Sequence, residues 1–191
     1  MKKLSRALII ALSGLTAIPA AASGIEGKWF LHKFGELRSY HGDFLNVCSG
    51  AEFRNCRSVQ YGFDQRPEER FFGDTRLSIT KRSRGAGGSE NYAIEIFINS
   101  LPDQPKGPFI FSVDGEIFSP TPGQVISGSP EGYNVSQTFS ITDPELTEKM
   151  IKAMRKGNSL RILHDGYRET RFQLRGLSRA LDANDAQVNG S

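Results

Sequence analysis

Residues 91–99, with the sequence Asn-Tyr-Ala-Ile-Glu-Ile-Phe-Ile-Asn, decide the fold class of this chain of 191 residues. Four large apolar side chains fall on one face of the extended segment: Tyr92, Ile94, Ile96 and Ile98. An alternation with a period of two, enriched in β-branched and aromatic residues, is typical of a β-strand. The sequence therefore predicts a strand here, and much of the remaining chain follows the same pattern.

Two hairpins are predicted further along the chain. Residues 109–113 alternate in the same way, and Asp114-Gly115 separates them from the apolar pair 117–118. Asp-Gly between apolar runs favours a type I′ turn, because both central residues of that turn need a positive φ. Residues 160–174 repeat the pattern around Asp165-Gly166. Five more strands are predicted, over 28–34, 44–48, 56–63, 76–82 and 134–141.

An amphipathic helix is predicted after Asp143, which is a favourable N-cap and is followed by proline. Gly157 is expected to end this helix. Leu146, Met150 and Met154 recur at helical spacing and form an apolar stripe. This stripe is interpreted as core packing.

The connections and the C-terminus are predicted from composition. Residues 119–132 are rich in Pro, Gly and Ser and should form an irregular surface connection. A short helix is predicted from residue 177 to residue 183, and the tail 185–191 is expected to fray. Eight or so short strands with few helices predict a mainly β fold, an antiparallel β-sandwich or jelly-roll-like single domain over 23–184.

The first 22 residues resemble a secretory signal peptide. Lys2, Lys3 and Arg6 precede an apolar run over 7–18, and small residues at 20–22 supply a cleavage pattern. The run is shorter than the ~20 residues that a membrane-spanning helix needs. A cleaved signal predicts a periplasmic, secreted or surface-exposed protein, and an uncleaved N-terminal anchor is the alternative.

Cys48 and Cys56 are the only cysteines in the chain. In an exported protein an even pair favours a disulfide, and this one would join two neighbouring strands across a short hairpin. A redox or metal pair would be expected to have Cys-x-x-Cys spacing, and a metal site would need two further ligands nearby. The sequence therefore favours a structural disulfide and predicts neither a cofactor nor a metal site.

Charge is distributed unevenly along the chain. The formal net charge of +3 comes from the first 22 residues, so the basic pI is no argument for a nucleic-acid partner. Residues 23–84, 85–148 and 149–191 carry net charges of +3, −8 and +5. Either these parts neutralise one another within the fold, or the C-terminal part forms an anion-binding face. Such a face would use the C-terminal arginines Arg161, Arg168, Arg171, Arg175 and Arg179.

Catalytic chemistry has little support in the sequence. No Gly-x-Ser-x-Gly motif surrounds a serine, and the three histidines are interpreted as lone surface or strand residues. These are His32, His41 and His164, of which the last is expected to be exposed. Glu68-Glu69 lie between arginines in a predicted loop. The chain is therefore predicted to be non-enzymatic, with a hydrolase whose site combines residues distant in sequence as an alternative.

Three short motifs carry a resemblance to a known family. Gly42-Asp43-Phe44 stands first, Val113-Asp114-Gly115 is central, and 172–182 close the chain with Phe-Gln-Leu-Arg-Gly-Leu-Ser-Arg-Ala-Leu-Asp. In this order, over residues 40–183, they resemble the invasion-associated locus B family of exported bacterial proteins. The resemblance implies a periplasmic or surface-exposed β-sandwich linked to host-cell colonisation or envelope biology, with no catalytic residue to carry over.

The predicted function combines the residues with this resemblance. The chain is expected to be an exported, non-enzymatic β-sandwich that interacts with a protein, an envelope component or a host surface. It is expected to bind no nucleic acid and to have no membrane span. The first alternative is a module that binds an anionic glycan or lipid headgroup through the C-terminal arginines. The second alternative is a hydrolase.

Overall fold

A computed structural model describes residues 26–62, 75–81, 92–99, 107–128, 137–141, 143–165 and 169–190. Within these parts the chain forms two antiparallel sheets and two helices, and one apolar cluster joins residues from all of them. The predicted mainly β fold, a sandwich of antiparallel sheets, is confirmed. The predicted signal peptide, the pair Glu68-Glu69 and Arg168 lie outside the described residues.

The first sheet has eight strands and the second has four, numbered here in chain order. The first contains β1 (Phe30–Leu31), β2 (Leu37–His41), β3 (Phe44–Ser49), β4 (Asn55–Gly62), β5 (Thr75–Lys81), β6 (Tyr92–Ile98), β9 (Val125–Ser127) and β10 (Thr138–Ile141). The second contains β7 (Phe109–Val113), β8 (Glu116–Phe118), β11 (Ser159–His164) and β12 (Thr170–Gln173). The helices are α1 (Pro144–Lys156) and α2 (Leu177–Asn189), and Ala51–Phe53 form a short 3₁₀ turn. The spatial orders are β1-β2-β3-β4-β5-β6-β10-β9 and β12-β11-β7-β8.

The strand over 91–99 is internal to the first sheet, as β6. It pairs with β5 and β10, and its inward side chains Ile94 and Ile96 are buried. Their partners across β5, Ile79 and Leu77, have no exposed surface. Full burial of such a side chain contributes about 1.5–3 kcal/mol, so apolar contact between these four residues stabilises the pairing of β5 and β6.

The sequence predictions miss β9, which lies inside the segment expected to be irregular. A turn over 121–124 precedes it, with Pro122 in the second position and Gly123 at φ 95. The N–H of Gln124 donates to the carbonyl oxygen of Thr121 at 3.1 Å, as in a type II turn. The turn leads into β9, which pairs with β10 at the edge of the first sheet.

Helix α1 begins and ends where the sequence predicts. The Asp143 carboxylate accepts a hydrogen bond of 2.8 Å from the N–H of Leu146, which satisfies one donor at the helix start. Gly157 follows the last turn. Met150 and Met154 have no exposed surface, which confirms that their stripe packs in the core.

The prediction of a frayed tail over 185–191 is wrong for residues up to Asn189. Helix α2 continues to that residue because its inner face stays covered beyond residue 183. Asn184 has no exposed surface, the Asp185 carboxylate lies 2.7 Å from Lys81 Nζ, and Val188 packs beside the disulfide. The polar residues of this segment stabilise the helix because they have partners in the sheet.

Cys48 and Cys56 form the predicted disulfide. They lie directly opposite each other on β3 and β4, so the bond joins neighbouring strands of one hairpin. Neither residue has exposed surface, and α2 packs on the same two strands. A disulfide is typical of chains that mature in an oxidising compartment.

The start of α2 is held against the turn between β2 and β3 by two glycines. Gly42 and Gly176 have φ values of 61° and 90°. A Cβ atom on Gly176 would lie 2.1 Å from the carbonyl oxygen of His41, so no larger residue fits without moving the backbone. Next to this contact, the N–H of Asp43 donates to the carbonyl oxygen of Arg175 at 3.0 Å.

Replacement of Gly176 by alanine is expected to destabilise the protein far more than Gly35→Ala. Both glycines have a positive φ, where a Cβ atom costs roughly 1–2 kcal/mol. Gly35 has open space around it, whereas overpacking at Gly176 should cost a further ~1–3 kcal/mol. Urea unfolding followed by circular dichroism measures both losses. Equal losses would show that the two-glycine contact does not hold α2.

The double variant Cys48→Ala/Cys56→Ala is expected to lose about 2.5 kcal/mol of unfolding free energy. This is the chain-entropy value for a loop with a sequence separation of 8 residues. Thermal unfolding with and without dithiothreitol provides the measurement. The reductant should lower the Tm of the wild type and leave that of the double variant unchanged, and a wild-type Tm insensitive to full reduction would contradict the prediction.

Candidate functional site

The predicted anion-binding arginines occupy two separate places in the structure. Arg175 and Arg179 lie at the start of α2, beside the turn between β2 and β3. Arg161 and Arg171 lie on β11 and β12 of the second sheet. Arg168 lies outside the described residues. The structure thus places the four described arginines in two local arrangements.

The arginines at the start of α2 are held in ion pairs. Arg175 Nη2 lies 2.5 Å from Asp43 Oδ1, and Arg179 Nη2 lies 3.0 Å from Glu26 Oε1. The same Glu26 oxygen accepts a hydrogen bond of 3.3 Å from the N–H of Gly42. Exposed pairs of this kind contribute about 0–1 kcal/mol each. They connect α2 to the N-terminal strands, and their positive charge is balanced locally.

The second pair has an excess of positive charge. Arg161 and Arg171 are exposed and lie directly opposite each other on antiparallel strands, an arrangement that is unfavourable for like charges. The Glu169 carboxylate accepts hydrogen bonds from Nε of Arg161, at 2.8 Å, and from its Nη2. The bond from Arg161 lowers the pKa of the Glu169 carboxyl, and the charge of Arg171 lowers it further. Glu169 is thus paired with Arg161, and the charge of Arg171 acts on it without a described hydrogen bond.

Aliphatic side chains surround this arginine pair. The strand registers place Ile117, Ser112, Arg161 and Arg171 in one row across β8, β7, β11 and β12. Ile110 and Leu163 form the next row, and Ile117 is 67% exposed. We call this surface the outer face, and it consists of Ile110, Ile117, Arg161, Leu163 and Arg171. It combines two cationic groups with exposed apolar surface.

Ion pairs in the described residues join the C-terminal part to both other parts of the chain. Those of Arg175 and Arg179 lead to acids of the first part, and that of Arg161 leads to an acid of the C-terminal part itself. Lys149 Nζ lies 2.7 Å from Glu145 Oε1 of the acidic middle. Part of the charge segregation along the sequence is thus neutralised within the fold.

The prediction that His164 is exposed is wrong. The alternation of β11 turns its side chain inward, where it is 6% exposed and packs edge-on against Phe109, with ring centroids 4.6 Å apart. His41 is buried as well, and its Nε2 lies 3.0 Å from Ser39 Oγ. Ser39 has no exposed surface, so this serine–histidine pair lacks the access that a nucleophile needs. Burial lowers the pKa of His41, and the charge of Arg179 lowers it further.

A buried polar layer beneath α2 was not predicted from the sequence. The Asn184 amide donates to Ser58 Oγ at 2.9 Å, and Ser58 Oγ donates to Asn46 Oδ1 at 2.8 Å. The Asn46 amide in turn donates to the carbonyl oxygen of Ala180 at 2.8 Å. The three polar side chains have no exposed surface. Each has a partner, which is the condition for burying polar groups without a large loss of stability.

A charged cluster continues this layer towards α1. Asp185 Oδ1 lies 2.7 Å from Lys81 Nζ and accepts a hydrogen bond of 2.6 Å from the Tyr92 hydroxyl. Arg155 Nη2 approaches the other carboxylate oxygen of Asp185 at 3.3 Å. Burial raises the pKa of the Tyr92 phenol, and the bond to Asp185 raises it further. The cluster joins β5, β6 and both helices, and we assign it a structural role. In the described parts of the chain, no three His, Cys, Asp or Glu residues are grouped as metal ligands.

Asp114 has a second role besides the predicted turn. Its φ of 48° and that of Gly115, 101°, fit the type I′ hairpin. The carboxylate also accepts hydrogen bonds from the N–H and amide of Asn158, at 2.7 and 3.1 Å, and from the N–H and hydroxyl of Ser159, at 3.0 and 3.2 Å. The bond from the Asn158 N–H, with those from Ser159, lowers the pKa of the Asp114 carboxyl. The turn thereby holds the connection between α1 and β11.

A cleft of 410 Å³ lies between the start of β7 in the second sheet, residues 120–122 of the connection after β8, and strands β9 and β10 of the first sheet. Sequence reasoning missed it because Pro120 and Pro122 belong to the segment expected to be an irregular connection. The Pro122-Gly123 dipeptide is a turn signal that could have located the β9 edge.

No protein-family model, curated protein or solved structure matches this chain. The resemblance to the invasion-associated locus B family therefore rests on its three short motifs. Among the helices of the described residues, none has the length and apolar character required to cross a membrane.

Asp114→Asn is expected to destabilise the protein at neutral pH, with the difference from wild type shrinking in acid. A carboxylate whose folded pKa is lowered stabilises the fold above its ordinary pKa, and this contribution is lost as the pH falls through the folded value. Urea unfolding at neutral pH and at a pH below the carboxyl range measures the change. Glu116→Gln, at an exposed carboxylate of the same hairpin, is the control and should change little. A loss in Asp114→Asn that is equal at both pH values would contradict the electrostatic explanation.

Proposed function

We propose that this protein is an exported, non-enzymatic binding protein of the bacterial envelope, and that it acts through the outer face. The observation that carries the proposal is the exposed pair Arg161 and Arg171, which lie opposite each other on neighbouring strands among partly exposed aliphatic side chains. The Cys48–Cys56 disulfide supports an oxidising compartment outside the cytoplasm. The motif resemblance and the predicted signal peptide support the envelope as the place of action.

The chemistry of the outer face supports binding. A guanidinium group stays protonated and donates hydrogen bonds in a planar fork that matches phosphate and carboxylate oxygens. Two such groups on adjacent strands can hold one anionic group from two sides. An anionic ligand would compete with Glu169 for Arg161, and its attraction to both guanidinium groups would be screened by salt.

An anionic lipid surface fits the outer face better than an anionic glycan. Ile110 and Ile117 are 37% and 67% exposed, and Leu163 is half-buried between the strands. Such side chains gain free energy when they enter the acyl boundary of a bilayer, where about 25 cal/mol is gained per Å² of apolar surface removed from water. A sulfated glycan would use the arginines and leave the isoleucines in water. The remaining class of ligand is a protein whose surface is both acidic and apolar.

The double variant Arg161→Glu/Arg171→Glu is expected to bind vesicles of phosphatidylglycerol about 30-fold or more weakly than the wild type. Each basic side chain at an anionic surface contributes about 1 kcal/mol, and the glutamates add repulsion. Co-sedimentation with vesicles measures binding, and phosphatidylcholine vesicles should retain little protein. Wild-type binding should be lost at about 1 M salt, where the Debye length is about 3 Å. Lys152→Glu/Lys156→Glu, at exposed positions of α1, changes the net charge equally and should bind normally.

The double variant Ile110→Ser/Ile117→Ser distinguishes binding to an anionic lipid surface from binding to an anionic glycan. These substitutions should weaken vesicle binding and leave retention on immobilised heparin unchanged. Retention on heparin without vesicle binding would select the anionic glycan. Vesicle binding that is equal in the wild type and the Arg161→Glu/Arg171→Glu variant would contradict the outer face as the binding surface.

A further inference from the structure

His41, the last residue of β2, lies at the contact between the first sheet and the start of α2. Its carbonyl oxygen meets Gly176, where a Cβ atom would lie 2.1 Å away. Its side chain shares the inward face of the strand with Ser39, two positions earlier, and both side chains are buried. His41 Nε2 lies 3.0 Å from Ser39 Oγ, and the residue opposite His41 on β3 is the uncharged Phe44. The imidazole is therefore enclosed close to the place where α2 docks, at a position outside the outer face.

Charged groups near His41 come from three parts of the chain. The first turn of α2 contributes Arg179, and Arg175 directly precedes the N-cap of the helix. The turn between β2 and β3 contributes Asp43, and the N-terminal segment contributes Glu26. These groups form the ion pairs Arg175–Asp43 and Arg179–Glu26, at 2.5 and 3.0 Å. His41 therefore lies where the N-terminal segment, the turn and the helix meet.

These surroundings favour the neutral form of the imidazole. Burial removes the water that would solvate a charged ring. Arg179 repels a positive charge, and the positive end of the α2 macrodipole does the same, because the first turn of this helix carries a basic and no acidic side chain. Burial is the largest cause that lowers the pKa of His41, and the charge of Arg179 is the next. Glu26 acts in the opposite direction, but its carboxylate is shared with Arg179.

We propose that His41 makes the attachment of α2 sensitive to acid, and that a proton on its imidazole loosens the start of this helix from the first sheet. An imidazolium has two N–H donors and a positive charge, and water solvates both when the contact opens. The open form therefore binds the proton more tightly than the closed form. The attachment is strongest above the ordinary histidine pKa of 6.5, and it weakens as the pH falls from there through the lower value of the folded protein. This behaviour does not depend on the proposed binding of anionic surfaces.

Amide hydrogen exchange in α2, followed by mass spectrometry, tests the proposal. His41→Gln keeps a polar side chain that does not titrate, and comparison with the wild type at one pH cancels the pH dependence of the exchange chemistry itself. The ratio of the wild-type rate to the His41→Gln rate in α2 should rise severalfold from about pH 7.5 to about pH 5, the range in which histidine titrates. Amides of β6 report opening of the core, and their ratio should change less. His32→Gln is the matched control and should follow the wild type at both pH values.

Two further variants alter the same response and keep the histidine. Arg179→Gln removes a repulsion, so exchange in α2 should accelerate less in acid than it does in the wild type. Glu26→Gln removes an attraction, so exchange should accelerate more. The side chains of Arg179 and Glu26 are 64% and 43% exposed, so both variants are expected to fold. They replace His41→Gln if that variant fails to fold.

Three results would overturn the proposal. The first is a ratio of wild-type to His41→Gln exchange in α2 that is the same at both pH values. The second is an equal rise of this ratio in α2 and β6, which would place the response in the whole fold. The third is an NMR titration of the His41 imidazole, assigned by its loss in His41→Gln, with a midpoint at or above the ordinary pKa of 6.5.

Discussion

The attachment of α2 to the inner face of β2, β3 and β4 is the constraint on which the rest of the structure depends. The strand registers link Ser39, Asn46, Ser58, Ile79 and Ile94 in one row across the first sheet. The first three are polar and lie under α2, whereas the isoleucines face the apolar core. Buried hydroxyl and amide groups are costly without partners, so this half of the sheet requires a cover that can itself form hydrogen bonds. Helix α2 supplies that cover through Asn184 and its own backbone.

The motifs that resemble the invasion-associated locus B family all lie at contacts between distant parts of the chain. Gly42-Asp43 meets Arg175-Gly176 at the start of α2, and Asp114 holds the connection that enters β11. Each contact depends on backbone geometry or on a carboxylate with several donors. The motifs therefore mark how the two sheets and helices are joined, and the outer face lies elsewhere. This explains why a motif resemblance suggests a fold more directly than an activity.

Sequence reasoning succeeded where local chemistry is decisive and failed where polar residues pack inside. The alternation around Ile94, the Asp114-Gly115 turn and the Asp143 cap are local signals, and all three are confirmed. The sequence does not predict strand β2 or the end of α2, because residues that face inward there, such as Ser39 and Asn184, are polar. A periodic pattern of apolar residues indicates a buried face only where that face is apolar. The arginines could be listed from the sequence, but their division between ion pairs and the outer face depends on strand register. The cleft arises only from the spacing of two sheets.

The position of the disulfide ties its chemical accessibility to helix α2. Cys48 and Cys56 are neighbours across one hairpin, and neither has exposed surface in the folded protein. The covering helix comes from residues more than a hundred positions further along the chain, and its Val188 packs against the pair. A reductant added to the folded protein therefore meets no exposed sulfur atom, so the bond is shielded for as long as α2 stays docked.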